Sequence, residues 1–400
     1  MTPGLLDGLT VLDFTRVLAG PYCTRLLADL GARVIKVERP VEGDDTRAFY
    51  LQLEEGRKDQ SSYFVRFNAG KESIAIDLAH PEARSVVLDL ARESDVLIEN
   101  FVPGVMARHG LGYDAVRAAN PSIVYCSISG YGQTGPLRDR PAFAHLINAA
   151  SGAMDLDRQG EPEPRVAYLQ SADALAGVHA FGLVLAAIHR RDRTGQGAYL
   201  DVSMLQSLWG AEDIGIAAAL NGGAITKGPR PGMIIHAVKG RQLAVQFIGG
   251  GPTWDRLLAV MGRDGPAGAA QFSTPQGRRD HWPELRTVIC DWLDRFESAE
   301  AAVQALSAAR VPCTPVRSME EAMAHPHMDE REAFTTIAHR GRGEVKVTSA
   351  PFHIDGAPVP ARGEAPYRAG EHTREVLAGT LGYKAERIEA LIRSGAIAAP

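Results

Sequence analysis

Cysteine is scarce in this chain: Cys23, Cys126, Cys290 and Cys313 are the only four in 400 residues. Their spacing fits neither a disulfide framework nor a zinc-ligand pattern, and Cys126 sits in an apolar, strand-like segment. They read as free, mostly buried thiols of a reducing compartment, with no metal site expected. An excess of one charge is also missing. Lys and Arg number 43 against 48 Asp and Glu, a net charge of -5 with no long run of either sign. That removes the electrostatic case for nucleic acid or an anionic membrane as partner. The N-terminal MTPGLLDGLTVLDF lacks the basic region, apolar stretch and cleavage site of a secretory signal. The longest apolar run, 172–188, is interrupted by Asp173 and His179 and falls short of a membrane span. No internal repeat is present. A hydrophobic content of 45% over this length suits a large core and more than one domain. The expectation is a cytoplasmic protein.

What is present begins with a strand–helix–strand unit. Leu9 to Phe14 is a β-rich run, Tyr22 to Leu30 a helical pattern closed by Gly31, and Val34 to Val37 a second strand. That order predicts a right-handed parallel unit. Only Gly20, beside Pro21, stands in the turn, so the dinucleotide glycine fingerprint is absent and NAD is not expected. Further strands are predicted at 73–78, 95–99, 123–128 and 198–202, with helices at 81–94 and 203–220. The strands end in polar or glycine-rich turns, Asn100 to Gly104 and Gly130 to Pro136 among them. Ligands of open parallel sheets bind at such carboxyl ends. Composition shifts at 221–232, NGGAITKGPRPG, which reads as a linker or a mobile loop. Residues 240–325 read as a smaller α/β unit: a strand at 242–248, a Gly249-Gly250-Gly251-Pro252 turn, helices at 253–261, 283–296 and 298–310, and an edge strand at 311–317. Short strands follow from about 335, then helix from near 371. The fold class is α/β, with a Rossmann-like large domain from 1–220 and 331–400 and a smaller domain at 221–330.

One stretch stands out: SADALAGVHAFGLVLAAIHRRDRTGQG, from 171 to 197, a long apolar helix with a single carboxylate near its start. Ala174, Ala176, Gly177 and Ala180 allow another backbone to approach, and Thr194 to Gly197 stops the helix. Asp173 is either an N-cap or a nucleophile at the helix start. Burial would raise its pKa and the helix N-terminus would lower it. Elsewhere, Lys36 and Arg39 can be solvated strand-end charges and Asn100 a turn residue. Together, however, basic groups and polar turns at strand ends describe a site for an extended anionic ligand.

The order and wording of five segments resemble the class III CoA-transferase family, which includes formyl-CoA transferases, carnitine-type CoA-transferases and α-methylacyl-CoA racemases. They are LDGLTVLDFTRVLAGP, VIKVERP, FNAGKESIAIDL, DVLIENFVPG, and SADALAG followed by TGQGAYLDVSM; the likeness runs on to GEHTREVL. The resemblance implies a Rossmann-like domain built from both chain ends, a smaller inserted domain, and two ring-shaped chains interlocked as a homodimer. It implies no tightly bound cofactor: a coenzyme A thioester is substrate, with an acyl-CoA donor and a small carboxylic acid acceptor. Asp173 matches the catalytic aspartate, which attacks the thioester to form a mixed anhydride. By the same carry-over Arg39 contacts the CoA phosphates or adenine. Phe67, Asn68, Ala69, Gly70, Lys71, Asn100 and Phe101 line the CoA groove, and Arg108 is a further phosphate contact. Leu18 replaces the glutamine that some transferases carry in this turn. Gly222 and Gly223 belong to a stretch resembling a glycine loop over the site, or to a plain linker. His145 reads as a site-lining or core histidine, because no acid adjoins it in sequence as in the racemase pattern. The racemases also place a glutamate where this chain has Gly249 to Pro252, so transfer is expected over racemisation. His179 shares a helix with Asp173 without reaching it.

Overall fold

Six runs rich in Val, Ile and Leu form the centre of the protein, in a computed structural model that describes residues 4–158, 161–212, 215–225, 231–247 and 251–400. They are β1 (Thr10–Asp13), β2 (Arg33–Glu38), β3 (Lys71–Ile76), β4 (Val96–Glu99), β5 (Val124–Ser129) and β6 (Ala198–Ser203). All pair in parallel in the order β3-β2-β1-β4-β5-β6, and Ile397–Ala398 adds an antiparallel edge beside β3. Continuous apolar runs are what a parallel sheet covered on both faces requires. On one face Val11, Val34, Ile98, Cys126 and Val202 pack with Ala172, Ala176, Ala180 and Val184. On the other, Leu12, Ile35, Ile74 and Leu97 pack with Val86, Leu90 and Leu391. The strand order reverses between β1 and β4, so their carboxyl ends diverge at a topological switch point.

The helix carrying Asp173 spans Ser171–Thr194 and ends at Gly195 in the left-handed region, where the TGQG turn is expected. It is longer than the 172–188 run, and by length and composition alone it could cross a membrane. Its alanine-rich stripe is instead part of the sheet's core. Gly177 permits the tightest helix contact, since a Cβ there would lie 2.5 Å from the Ala19 carbonyl oxygen. The opposite face is left exposed, with Val178 and Leu183 at 46% and 41%. A helix apolar on every side is normally covered on every side.

The chain divides into two compact units. One comprises 1–155, 165–225 and 327–400; the other 156–164 and 226–326. The short 156–164 stretch therefore belongs with the smaller unit, although it is read above as part of the large domain. The smaller unit pairs Met233–Val238 with Arg241–Gln246 and adds Cys313–Pro315 as the expected edge strand. Trp254, Leu257, Leu285, Ile289 and Leu306 fill its core. The strand at 233–238 is unexpected; only Ile234 and Val238 on it are buried, which leaves a weak apolar signal next to a glycine-rich stretch. The single helix expected over 203–220 is two, Met204–Ala211 and Gly215–Leu220. Glu212 leaves the helical path, and its carboxylate accepts from the Gly215 and Ile216 N–H groups at 2.9 and 2.7 Å, capping the second helix. Residues 226–230 of the glycine stretch and Gly249 and Gly250 of the expected turn lie outside the described residues. Gly251 already begins the helix Gly251–Met261.

Candidate active site

The end of β1 turns sharply into the helix Ala19–Asp29, and this turn is held by side chains at nearly every polar backbone atom. Thr15 donates its N–H to Asp13 Oδ1 at 2.8 Å, and its carbonyl accepts from Lys36 Nζ at 2.7 Å. Arg16 donates its N–H to Asn100 Oδ1 and accepts from Asn100 Nδ2, both at 2.8 Å. Val17 donates to Asp44 Oδ1 at 3.5 Å. Val17 has φ +68, a region that a β-branched residue enters at a cost of about 1–3 kcal/mol. Gly20 is required by space: a Cβ there would lie 2.2 Å from that of Thr15. Leu18, the N-cap, is buried and offers no polar contact.

Under the turn lies a layer of buried charge. Lys71 Nζ bonds Asp13 at 3.1 Å, Thr24 at 2.7 Å and Asn68 at 2.9 Å. Lys36 pairs with Asp44 at 2.9 Å, and Arg47 grips Glu38 at 2.7 and 2.8 Å while Ser73 donates to the same carboxylate. None of Asp13, Lys36, Glu38, Asp44, Arg47 and Lys71 is more than 3% exposed. Burial opposes charge on Asp13, but Lys71, Lys36 and two threonine hydroxyls outweigh it and hold the carboxyl below its ordinary value. Asp44 falls to about 2 because Lys36 and the Thr46 hydrogen bonds likewise overcome burial. Burial pushes Lys71 down to about 8, against the pull of Asp13.

This layer takes in part of the segment that the family resemblance assigns to the CoA groove. Asn68, Ala69 and Lys71 are buried, and the polar side chains of Asn68 and Lys71 bond inside the protein, where they support the turn. Gly70 has φ +77, and a Cβ there would lie 2.2 Å from the Arg362 carbonyl oxygen; it serves a backbone crossing. Asn100 is likewise occupied, by Arg16. Phe67 alone of its segment reaches an aromatic group, with ring centroids 6.0 Å from Tyr22 and 5.0 Å from Tyr63. Tyr63 also meets Phe49 and Tyr50, at 5.9 and 5.7 Å.

Asp173 stands at the third position of its helix. The N-cap is Gln170, with no side-chain cap, so Asp173 is not an N-cap. Its carboxylate faces the backbone N–H of Ala19 and that of Ala144, each the first residue of a helix (Ala19–Asp29 and Ala144–Ala150). Two helix N-termini thus act on a carboxylate that itself stands in the first turn of a third helix. Helix dipoles favour the anion, yet burial is the larger effect and raises the carboxyl to about 6, with Ala19, Ala144 and His145 pulling the other way. Among the described residues no lysine or arginine shares in this balance. His145 therefore stands within electrostatic reach of an acid on another helix, which sequence adjacency does not show; its Nδ1 is buried without a hydrogen-bond partner. Tyr63 is within electrostatic reach, its phenol raised by burial and then by Asp173. The sequence reading missed Tyr63 and Ala144; the YF pair at a Ser-capped helix start (Ser62–Asn68) carried no motif of its own. His179 is exposed and six residues on, about a third of a turn round from Asp173.

Basic groups stand at neighbouring strand ends. Arg39 bonds the Asp45 carboxylate and the Gly43 carbonyl. Arg16, whose guanidinium lies 4.9 Å from the Phe101 ring centroid, is held below the usual arginine range by burial and by Arg39. Arg108 is exposed, and its guanidinium and that of Arg138 approach the open side of Gly104, which has φ +86. Gly222 and Gly223 close the helix Gly215–Leu220: Gly222 has φ +74, and Gly223 donates to the Ala218 carbonyl at 2.8 Å. Two surface clefts, of about 400 and 490 Å³, share no lining residue with this site.

Comparison with known proteins gives the family of the chain. The model of CoA-transferase family III matches residues 6–373. The chain is 30% identical to a formyl-CoA:oxalate CoA-transferase of Rhodopseudomonas palustris, over 99% of this chain and 98% of that protein. It is 34% identical to a succinyl-CoA:mesaconate CoA-transferase of Haloarcula hispanica, covering 94% and 96%. Among solved structures it is similar to a CaiB/BaiF family protein from Brucella suis, with TM-score 0.79, 28% identity and coverage of 95% and 100%. The chain belongs to CoA-transferase family III and is a CoA-transferase of that class.

Proposed function

We propose that the protein moves coenzyme A from an acyl-CoA thioester to a carboxylic acid through covalent intermediates on Asp173. The observation that carries this reading is a half-buried carboxylate with, among the described residues, no lysine or arginine acting on it, set among backbone N–H groups. Such a carboxylate is nucleophilic when ionised, and the N–H groups favour oxyanions formed beside it. An Asp173 oxygen attacks the thioester carbonyl, the C–S bond breaks, and CoA thiolate leaves an aspartyl-acyl anhydride. The thiolate then attacks the Asp173 carbonyl carbon, releasing the donor acid and leaving an aspartyl-CoA thioester. The acceptor carboxylate attacks that thioester, and the thiolate released attacks the acceptor's carbonyl. Free Asp173 and the new acyl-CoA result. Arg39 and Arg108 are read as contacts for the CoA phosphates, which suit guanidinium groups. Phe67 and Phe101 are read as apolar walls for the same ligand. The two relatives named above each specify a dicarboxylate, oxalate or mesaconate; dicarboxylic acids are therefore the first acceptors to try. An acceptor screen with succinyl-CoA, acetyl-CoA and formyl-CoA, following new CoA esters by mass, tests the reading: no ester with any acid would oppose it.

The exposed apolar face of the Asp173 helix, with Phe143 and Leu146 at 65% and 53%, supports a homodimer in which a second chain covers it; interlocking of the two chains follows from the family resemblance. Four free cysteines suit the cytoplasm. A second reading, racemisation of a 2-methylacyl-CoA, gains from the nearness of His145 to Asp173, because proton removal and return need two groups. In D₂O without an acceptor acid, transfer chemistry leaves the α-carbon unlabelled, whereas rapid α-deuterium uptake would favour the racemase.

A further inference from the structure

We infer that Asn100 is a positioning residue: by fixing both backbone groups of Arg16 in the strained turn, it holds the Ala19 N–H on the Asp173 carboxylate. The contact is made across 84 residues of sequence and across the switch point, from the end of β4 to the end of β1. A side-chain amide carries a donor and an acceptor side by side, so it can donate to a carbonyl and accept from an N–H of the same residue at once. β4 strengthens the grip on either side of Asn100. Glu99 Oε2 accepts from the Phe101 N–H at 2.8 Å, and the Phe101 ring receives the Arg16 guanidinium. The residue after Arg16 is Val17, which without restraint relaxes toward negative φ. A change of φ there swings the chain that follows, and Ala19 lies two residues on. Gly177 leaves the Ala19 helix so close to the Asp173 helix that little other movement is open.

Asp173 is faced by His145 and Tyr63 from their helices and by the Ala19 and Ala144 N–H groups. Loss of the Ala19 donor removes one of the interactions favouring its anion. The effect on turnover rests on Asp173 being the nucleophile; the effect on its titration does not. The experiment is a ¹³C titration of the Asp173 carboxyl in aspartate-labelled full-length protein, assigned by the signal lost in Asp173→Asn. It is run on the wild type and Asn100→Ala, alongside kcat and KM for acyl-CoA. The Asp173 midpoint rises in Asn100→Ala by about 0.5–1 pH unit. In the same variant kcat falls tenfold or more, by order of magnitude, while KM moves by less than about threefold. Asn100→Ser carries the test should the alanine variant fail to fold. A folded variant with an unmoved midpoint overturns the inference, even if its thermal stability drops. A moved midpoint in a protein whose Asp173→Asn form turns over normally would uphold the positioning role and reject the nucleophile.

Discussion

Asp13 and Asp173 are two carboxylates of one site, built in opposite ways. Asp13 lies under the β1 turn with Lys71 at 3.1 Å and two threonine hydroxyls, and its pKa is lowered. Asp173 has, among the described residues, backbone N–H groups, a histidine and the Tyr63 phenol about it, and its pKa is raised to about 6. A paired carboxylate has its lone pairs committed, so it serves as scaffold. An unpaired one keeps an oxygen free to attack and still ionises near neutrality. Asp13 is fully buried and Asp173 only partly so, but the larger difference lies in the partners.

The comparison breaks most visibly at Asp173. Asp173→Asn keeps shape and hydrogen bonds but lacks the nucleophile, and CoA transfer should fall by about 10³-fold or more. A variant with near wild-type turnover and a washed, sequence-verified preparation would place the chemistry elsewhere. On the scaffold side the cost falls on stability. Lys71→Met leaves Asp13 buried without its cation, and urea unfolding should show a loss of about 3–5 kcal/mol. An unchanged midpoint there would mean that Asp13 takes up a proton at little cost.

The two carboxylates also differ in the sign of their pH dependence. Asp44, beside Asp13, has a depressed pKa; its contribution to stability is complete above the unfolded value near 4 and is lost as pH falls through about 2. Asp13, also lowered, acts in the same direction. Asp173 is raised, so its contribution is complete only below the unfolded value and is lost as pH rises through about 6. Asp173→Asn should therefore melt higher than wild type at pH 7.5, by on the order of 1–2 °C, and no higher at pH 4. Calorimetry at the two pH values checks this. The smallest change is Val17→Gly. Glycine accepts φ +68 without strain but gains freedom in the unfolded chain, and the net should stay within about 1 kcal/mol.

Much of the frame was legible because it rests on local patterns. The apolar runs gave β1 to β6 within a residue or two, and Gly195 ended the long helix as its sequence announces. The site was legible only in part. Lys71 and Asn68 look like ligand contacts in a motif, yet both are buried, Lys71 by pairing with Asp13 and Asn68 by bonding Lys71 and Phe64, and no spacing rule shows a partner 58 residues away. His145 lacks an acid in sequence and gains one from a helix that begins 26 residues later. The donors at Asp173 are main-chain N–H groups, which leave no residue type to read. Glu212 hid a helix break, because a carboxylate that caps the next helix looks like any polar residue of a continuous one.

The account stands or falls on a covalent bond at Asp173. The direct measurement is to incubate the protein with an acyl-CoA and no acceptor, quench with hydroxylamine, and map the product by peptide mass. A hydroxamate is expected on Asp173 that appears only with acyl-CoA and is absent from Asp173→Asn. An unmodified Asp173 peptide from protein that is turning over, or a hydroxamate on another carboxylate, would contradict it.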